Sequence, residues 1–244
     1  MSYDWNLLKR QMSRKSLRYP LTLLLAGLWA CPSRAAEPVE SRRGAAYFSG
    51  FGCIQCHRVG PTGGAYGPDL TYIGFRKTPQ WLDLWLKNPH AWKNNTVMPN
   101  FNLNNKVRAA LVAYLGSLKG SAYRDTPPWD DASFGSDPVK RGQEIFTRVG
   151  CVGCHGRGGK GGYPNNNVAG GKIPALLLVA DGYSKEELES RIRNGSNPAK
   201  DDPNGPEPMI VMPAWGETLK DDEIGALADY LISIKPKGAS SEGW

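Results

Sequence analysis

Histidine is scarce in this chain, with three among 244 residues, and methionine and cysteine number only five each. The apolar stretch at residues 21–30 is about half of the roughly twenty residues that a membrane-spanning helix needs. There is no Gly-rich phosphate loop, no zinc-finger spacing and no arginine-rich stretch, so the usual signs of a nucleic-acid binder are missing. Charged residues make up 22% and hydrophobic ones 40%, which excludes both a disordered polar chain and a multi-span membrane protein. What the chain has in plenty is glycine and proline, 48 together. That content predicts many loops and argues against long regular helices or a large sheet.

The formal charge of +7 invites an anionic partner. Its distribution removes that invitation. Residues 1–36 carry +5, from Lys9, Arg10, Arg14, Lys15, Arg18 and Arg34 against Asp4, and the rest carries only +2. A basic start, the apolar run from Leu21 to Ala30 and the small residues Ser33, Ala35 and Ala36 make the three-part pattern of an export signal. Ser33-Arg34-Ala35 fits simple cleavage. Leu28-Trp29-Ala30-Cys31 loosely resembles a lipoprotein box with Cys31 carrying the lipid, and an uncleaved anchor is the third route. All three place the remainder outside the cytoplasm, in the periplasm or on the outer face of the cytoplasmic membrane.

The other four cysteines stand in two identical frames, Cys53-Ile-Gln-Cys56-His57 and Cys151-Val-Gly-Cys154-His155. Each is a C-x-x-C-H, the attachment motif of c-type haem. Two thiols three residues apart reach the two vinyl groups on one porphyrin edge, and the next histidine lies under the ring where it can bind iron. A redox dithiol or half a zinc site also uses C-x-x-C. Neither requires the histidine that completes both frames and uses two of the three in the chain.

The frames sit in a tandem repeat. Arg43-Gly44 through Phe48 to Gly52-Cys53 matches Arg141-Gly142 through Phe146 to Gly150-Cys151. Gly44 and Phe48 share a helix face, as do Gly142 and Phe146, and a glycine there lets another helix approach closely. Downstream, Val97-Met98-Pro99-Asn-Phe101 matches Val211-Met212-Pro213-Ala-Trp215. A helix follows each, with Val107, Ala110, Leu111, Tyr114, Leu115 and Leu118 on one apolar face and Ile224, Leu227, Ala228 and Leu231 on the other. The boundaries expected are 1–36 for the export segment, 37–120 and 137–244 for the repeats, and 121–136 for a linker pinned by Trp129 and Phe134.

Met98 and Met212 are the candidate distal ligands, since both precede proline at matching repeat positions. Met209 is the fallback for the second site, and His90 competes at the first. A metal-binding histidine donates its free ring N–H to an acceptor that orients it. Pro68 and Pro174 lie at suitable distances after His57 and His155, and a proline offers a carbonyl without an N–H.

These motifs, with Gly67-Pro68-Asp69-Leu70, Ile173-Pro174-Ala175-Leu176 and the tails Ala113-Tyr114-Leu115 and Asp229-Tyr230-Leu231, resemble class I c-type cytochromes twice over. The first unit, with Trp81-Leu-Asp-Leu-Trp85 before Met98, resembles cytochrome c domains fused to haem–copper oxidase subunits. The other unit is similar to short bacterial cytochromes c. The resemblance implies an all-α fold of two tandem domains. It implies two covalent haem c groups held by Cys53, Cys56, Cys151 and Cys154, with iron ligands His57, Met98, His155 and Met212. It also implies one-electron transfer between redox proteins such as a dehydrogenase, an oxidase, a reductase or another cytochrome, with no enzymatic turnover. Two alternatives stand beside that carrier: a fixed subunit of a membrane-bound oxidoreductase complex, and a di-haem enzyme such as a peroxidase or thiosulfate dehydrogenase.

Two features depart from a plain repeat. His155 and Met212 are 57 residues apart, against 41 for His57 and Met98, and the excess lies in residues 156–167 and 194–208. These are either surface loops or a docking surface. Residues 37–126 carry +6 and residues 127–244 carry −4. The opposite charges either face each other across the domain interface or steer different partners.

Overall fold

The computed structural model describes residues 38–236. The expectations for the export segment and Cys31 lie outside the described residues. The described residues all belong to one unit, so both repeats can be placed against each other.

Each repeat opens and closes with a helix. The first runs α1 (Val39–Gly50), α2 (Cys53–Cys56), a two-residue hairpin β1 (Arg58–Val59) and β2 (Thr62–Gly63), α3 (Ile73–Arg76), α4 (Pro79–Lys87), α5 (Pro89–Trp92) and α6 (Asn105–Ser117). The second runs α7 (Pro138–Arg148), α8 (Val152–His155), α9 (Val179–Gly182), α10 (Lys185–Asn194) and α11 (Asp221–Ser233). Helix starts follow the local chemistry. Thr78, Asn104, Asp137 and Ser184 cap α4, α6, α7 and α10 by accepting from backbone N–H groups one turn in, and Pro79 and Pro138 open their helices without wasting a donor.

The opening and closing helices of each repeat cross at a glycine. A Cβ on Gly44 would lie 2.0 Å from the Ala110 carbonyl oxygen, and one on Gly142 would lie 1.9 Å from that of Ala226. Phe48 meets Tyr114 and Phe146 meets Tyr230 one turn along, with ring centroids 5.6 and 5.3 Å apart. The apolar faces read from the sequence are the buried ones: Ala110, Leu111 and Leu115 on α6, and Ile224, Leu227, Ala228 and Leu231 on α11.

The two cores are not closed within their own repeats. Ile173 and Ile210 of the second repeat complete the cluster of Phe48, Leu82 and Leu111. Tyr72 of the first repeat joins Phe146, Trp215 and Leu227. The segment expected to be a linker forms three short 3₁₀ turns, Ser121–Tyr123, Pro128–Asp130 and Ala132–Phe134. Its Trp129 is 1% exposed and donates its indole N–H to Glu223 at 2.6 Å. Trp129 thus pins the segment, and the buried Tyr123 is a second anchor in the same core, one the sequence did not single out. Among the described residues, the ion pair across the seam joins Asp69 of the basic half to Arg148 of the acidic half. That is the reverse of what facing opposite charges would give.

Gly142→Ala is expected to cost about 1–3 kcal/mol by overpacking the crossing. Gly50→Ala, at a position with no atom within 4 Å of the added Cβ, is expected to be neutral or slightly stabilising. Denaturant unfolding of the two variants checks this, and equal midpoints would contradict it.

Candidate functional site

Each frame is a single helical turn entered through a left-handed glycine. Gly52 has φ 73 before Cys53, and Gly150 has φ 89 before Cys151. All four thiols are free. Among the described residues no three of His, Cys, Asp and Glu gather as an ion-binding cluster, so the two cysteine pairs do not form one four-thiol site. Burial pushes the Cys53 thiol up and the Cys151 thiol to about 12. A redox dithiol needs the opposite shift, toward the thiolate.

The histidines are oriented as expected. His57 Nδ1 lies 2.9 Å from the Pro68 carbonyl, and His155 Nδ1 lies 3.2 Å from that of Pro174. A carbonyl only accepts, so each Nδ1 carries the proton and each Nε2 keeps its lone pair. Burial lowers both imidazoles below their ordinary value, against a smaller opposing pull from the proline carbonyls, which keeps them neutral at pH 7. Glycine makes room for the first ring: a Cβ on Gly67 would sit 2.6 Å from His57 Cε1. The Gly67 N–H donates to the Cys56 carbonyl at 2.8 Å, pinning this loop under the frame.

Met98 packs against the first core together with Cys53 and Ile54, and Met212 packs against the second together with Cys151 and Val152. The indole N–H of Trp85 donates to the Met98 sulfur at 3.0 Å. Trp85 stacks on Trp81, one turn back on α4, with centroids 5.2 Å apart. The sequence places the two tryptophans four apart before Met98, but nothing in it marks Trp85 as the partner of the sulfur. His90 is exposed and bonds the Asn94 carbonyl, which removes it from the first site.

Met212 is held differently. It exchanges two backbone hydrogen bonds of 3.0 Å with Ser196, and a Cβ on Gly195 would lie 2.5 Å from the Met212 carbonyl oxygen. The two extra segments of this repeat are tied to each other. Asn165, 6% exposed, donates to the Ile210 carbonyl and accepts from its N–H. Asn166 accepts from Met209 N–H and donates to Glu207, while Asn167 reaches Asp202 and Pro206. Three consecutive asparagines thus fasten the strip that leads to Met212. Met209 packs with the first repeat's cluster rather than with the second's.

Cys154 also packs into the first repeat's cluster. Arg76 and Lys77, from the end of α3, approach the second frame. Burial brings Lys77 down to about 8, so it stays largely charged at pH 7. Nothing in the sequence marked these two. The donor set suits a c-type haem at each frame: paired free thiols on one turn, an imidazole with Nε2 available, and a thioether in the same apolar cluster as the first cysteine of the frame.

Asn165→Ala leaves two buried backbone groups of Ile210 unpaired, at roughly 1–3 kcal/mol each. A fall of that size in unfolding free energy is expected by denaturant titration, and a change below about 0.5 kcal/mol would contradict the fastening role.

Comparison with known proteins places these features. The chain is 36% identical over 94 residues to cytochrome c oxidase subunit 2 of Alkalihalophilus pseudofirmus, a match spanning 34% of this chain and 28% of that subunit's length. It is 32% identical over 72 residues to cytochrome c6 of Euglena gracilis, spanning 28% of this chain and 68% of that protein. A chain of the Kuenenia stuttgartiensis reducing HAO-like protein complex aligns over 80% of this chain and 96% of its own length, at 18% identity and a TM-score of 0.27, too low to imply a shared fold. The cytochrome c family model matches twice, over residues 41–119 and 139–235. Covered in both repeats by that model, the chain is two cytochrome c domains in tandem and belongs to the cytochrome c family.

Proposed function

We propose that this is an exported di-haem electron-transfer protein, carrying electrons one at a time between redox proteins outside the cytoplasm. The observation that carries the reading is the duplication of a complete donor set: C-x-x-C-H, a proline carbonyl on Nδ1, and a Met-Pro segment, once in each domain. Each haem, when bound, supplies an iron that cycles between Fe(III) and Fe(II).

The chain's residues do the rest. Cys53 and Cys56, and Cys151 and Cys154, would anchor the two groups as thioethers. His57 and His155 would hold the iron through Nε2, and Met98 and Met212 through sulfur. A site whose ligands all come from protein would keep no place for a substrate, which favours a carrier over a peroxidase-like enzyme. A thioether ligand raises the potential. Met98 and Met212 pack, half-buried, against the two apolar clusters, and the Trp85 N–H fixes the Met98 sulfur in place. No helix among the described residues is long and apolar enough to cross a membrane. A tether to the membrane, if the chain works as a subunit of a larger complex, would come from residues 1–36, through Cys31 or an uncleaved signal.

Met98→Ala or Met212→Ala should lower the potential of its own site by tens to hundreds of millivolts, within the roughly 0.8 V that axial ligands span. It should also open that site, and only that one, to carbon monoxide. Spectra and potentials unchanged from the parent would overturn the ligand assignment.

A further inference from the structure

Two cations of the first domain are buried against the second domain's haem-attachment turn. Arg76 and Lys77 are 7% and 6% exposed. Among the described residues neither has a carboxylate at ion-pair distance. Arg76 Nη1 donates to the Gly150 carbonyl at 3.0 Å, and Nη2 donates to the Asp69 carbonyl at 3.2 Å. Its Nε is buried without a partner. The second frame is cut to fit this side chain: a Cβ on Gly150 would lie 2.5 Å from Arg76 Cζ, and one on Gly153 would lie 2.9 Å from Nη1. Lys77 lies over the Trp81 ring, 4.4 Å from its centroid, with the Cys154 side chain beside it.

The first frame has the opposite neighbour. Asp69 follows Pro68, the acceptor of His57, and its carboxylate is 7% exposed as a residue, bonded by Thr71 and Tyr123. Arg148 reaches its carboxylate at 3.7 Å, and Arg76, whose Nη2 bonds the Asp69 carbonyl, adds a weaker attraction, so Arg76 stands between the two frames while Lys77 belongs to the second alone. A reduced haem site carries one positive charge fewer than an oxidised one. Buried cations therefore favour reduction of the site they touch, and a buried carboxylate disfavours it, with little screening by salt.

We propose that Arg76 and Lys77 of the first domain bias the second domain's haem site toward the reduced state, so that an electron shared between the two domains rests on the second. This rests on the two-haem reading above. One site loses one electron as the other gains it, and no bond is made or broken. The electron comes from a reduced redox protein and leaves to an oxidised one.

The test is a spectroelectrochemical titration of the full chain with both haems, in parent, Arg76→Gln, Lys77→Gln and Lys77→Arg forms. The waves are assigned by repeating each in a Met98→Ala background, which displaces the first site's wave. Each charge removal should lower the second site's potential and shift electron sharing toward the first by about tenfold, equal to about 59 mV for a one-electron couple. Lys77→Arg, which keeps the charge, should leave both waves in place. A second wave unmoved by either Gln variant, equal shifts of both waves, or the same fall with Lys77→Arg would overturn the proposal. If Arg76→Gln does not fold, the two Lys77 variants decide alone. A parent protein with a single one-electron wave would instead sink the two-haem reading.

Discussion

A proline carbonyl beside each frame decides which imidazole nitrogen carries the proton, and the rest of the site depends on that choice. With Nδ1–H committed to Pro68 or Pro174, Nε2 is left with a lone pair and, among the described residues, no hydrogen-bond partner. The neighbouring features serve that geometry. Gly67 vacates the space the ring needs, the Gly67 N–H closes the loop onto Cys56, and burial keeps both imidazoles neutral. The helix crossings at Gly44 and Gly142 fix where the frames begin, because each opening helix leads within a few residues into its first cysteine.

The seam between the domains is the other organising feature. Each core is completed by residues from the other half, Ile173 and Ile210 in one direction and Tyr72 in the other. Trp215, the aromatic three residues after Met212, packs on Phe75 and Tyr72 across the seam. The Arg76 fork spans from the residue after His57's acceptor to the residue before Cys151. Two domains that share side chains in this way act as one body. Any electrostatic asymmetry at the seam is therefore a fixed property of the molecule rather than of a transient encounter.

Much of this was legible in the sequence because it is written in local spacing. The frames, the Met-Pro segments, the helix-crossing glycines and the proline acceptors all lie within short windows, and repetition at matching positions separated signal from coincidence. What stayed hidden is non-local. Arg76 meets Gly150 across 74 residues, and Trp129 meets Glu223 across 94. No periodicity records such contacts. The segment at 121–136 read as a linker because its prolines break periodicity, yet Tyr123 and Trp129 are buried. Irregular backbone can be core when its few aromatics find a cluster. The asparagines at 165–167 had the composition of a loop, and only the fold reveals that their amides serve as backbone partners for the opposite segment.

The proposed function requires two closed haem sites in one chain. A reductive titration of the native protein under carbon monoxide tests it most directly. Two one-electron components per chain, both unaffected by carbon monoxide, are predicted. A single component, or one that binds carbon monoxide in the unmutated protein, would contradict it.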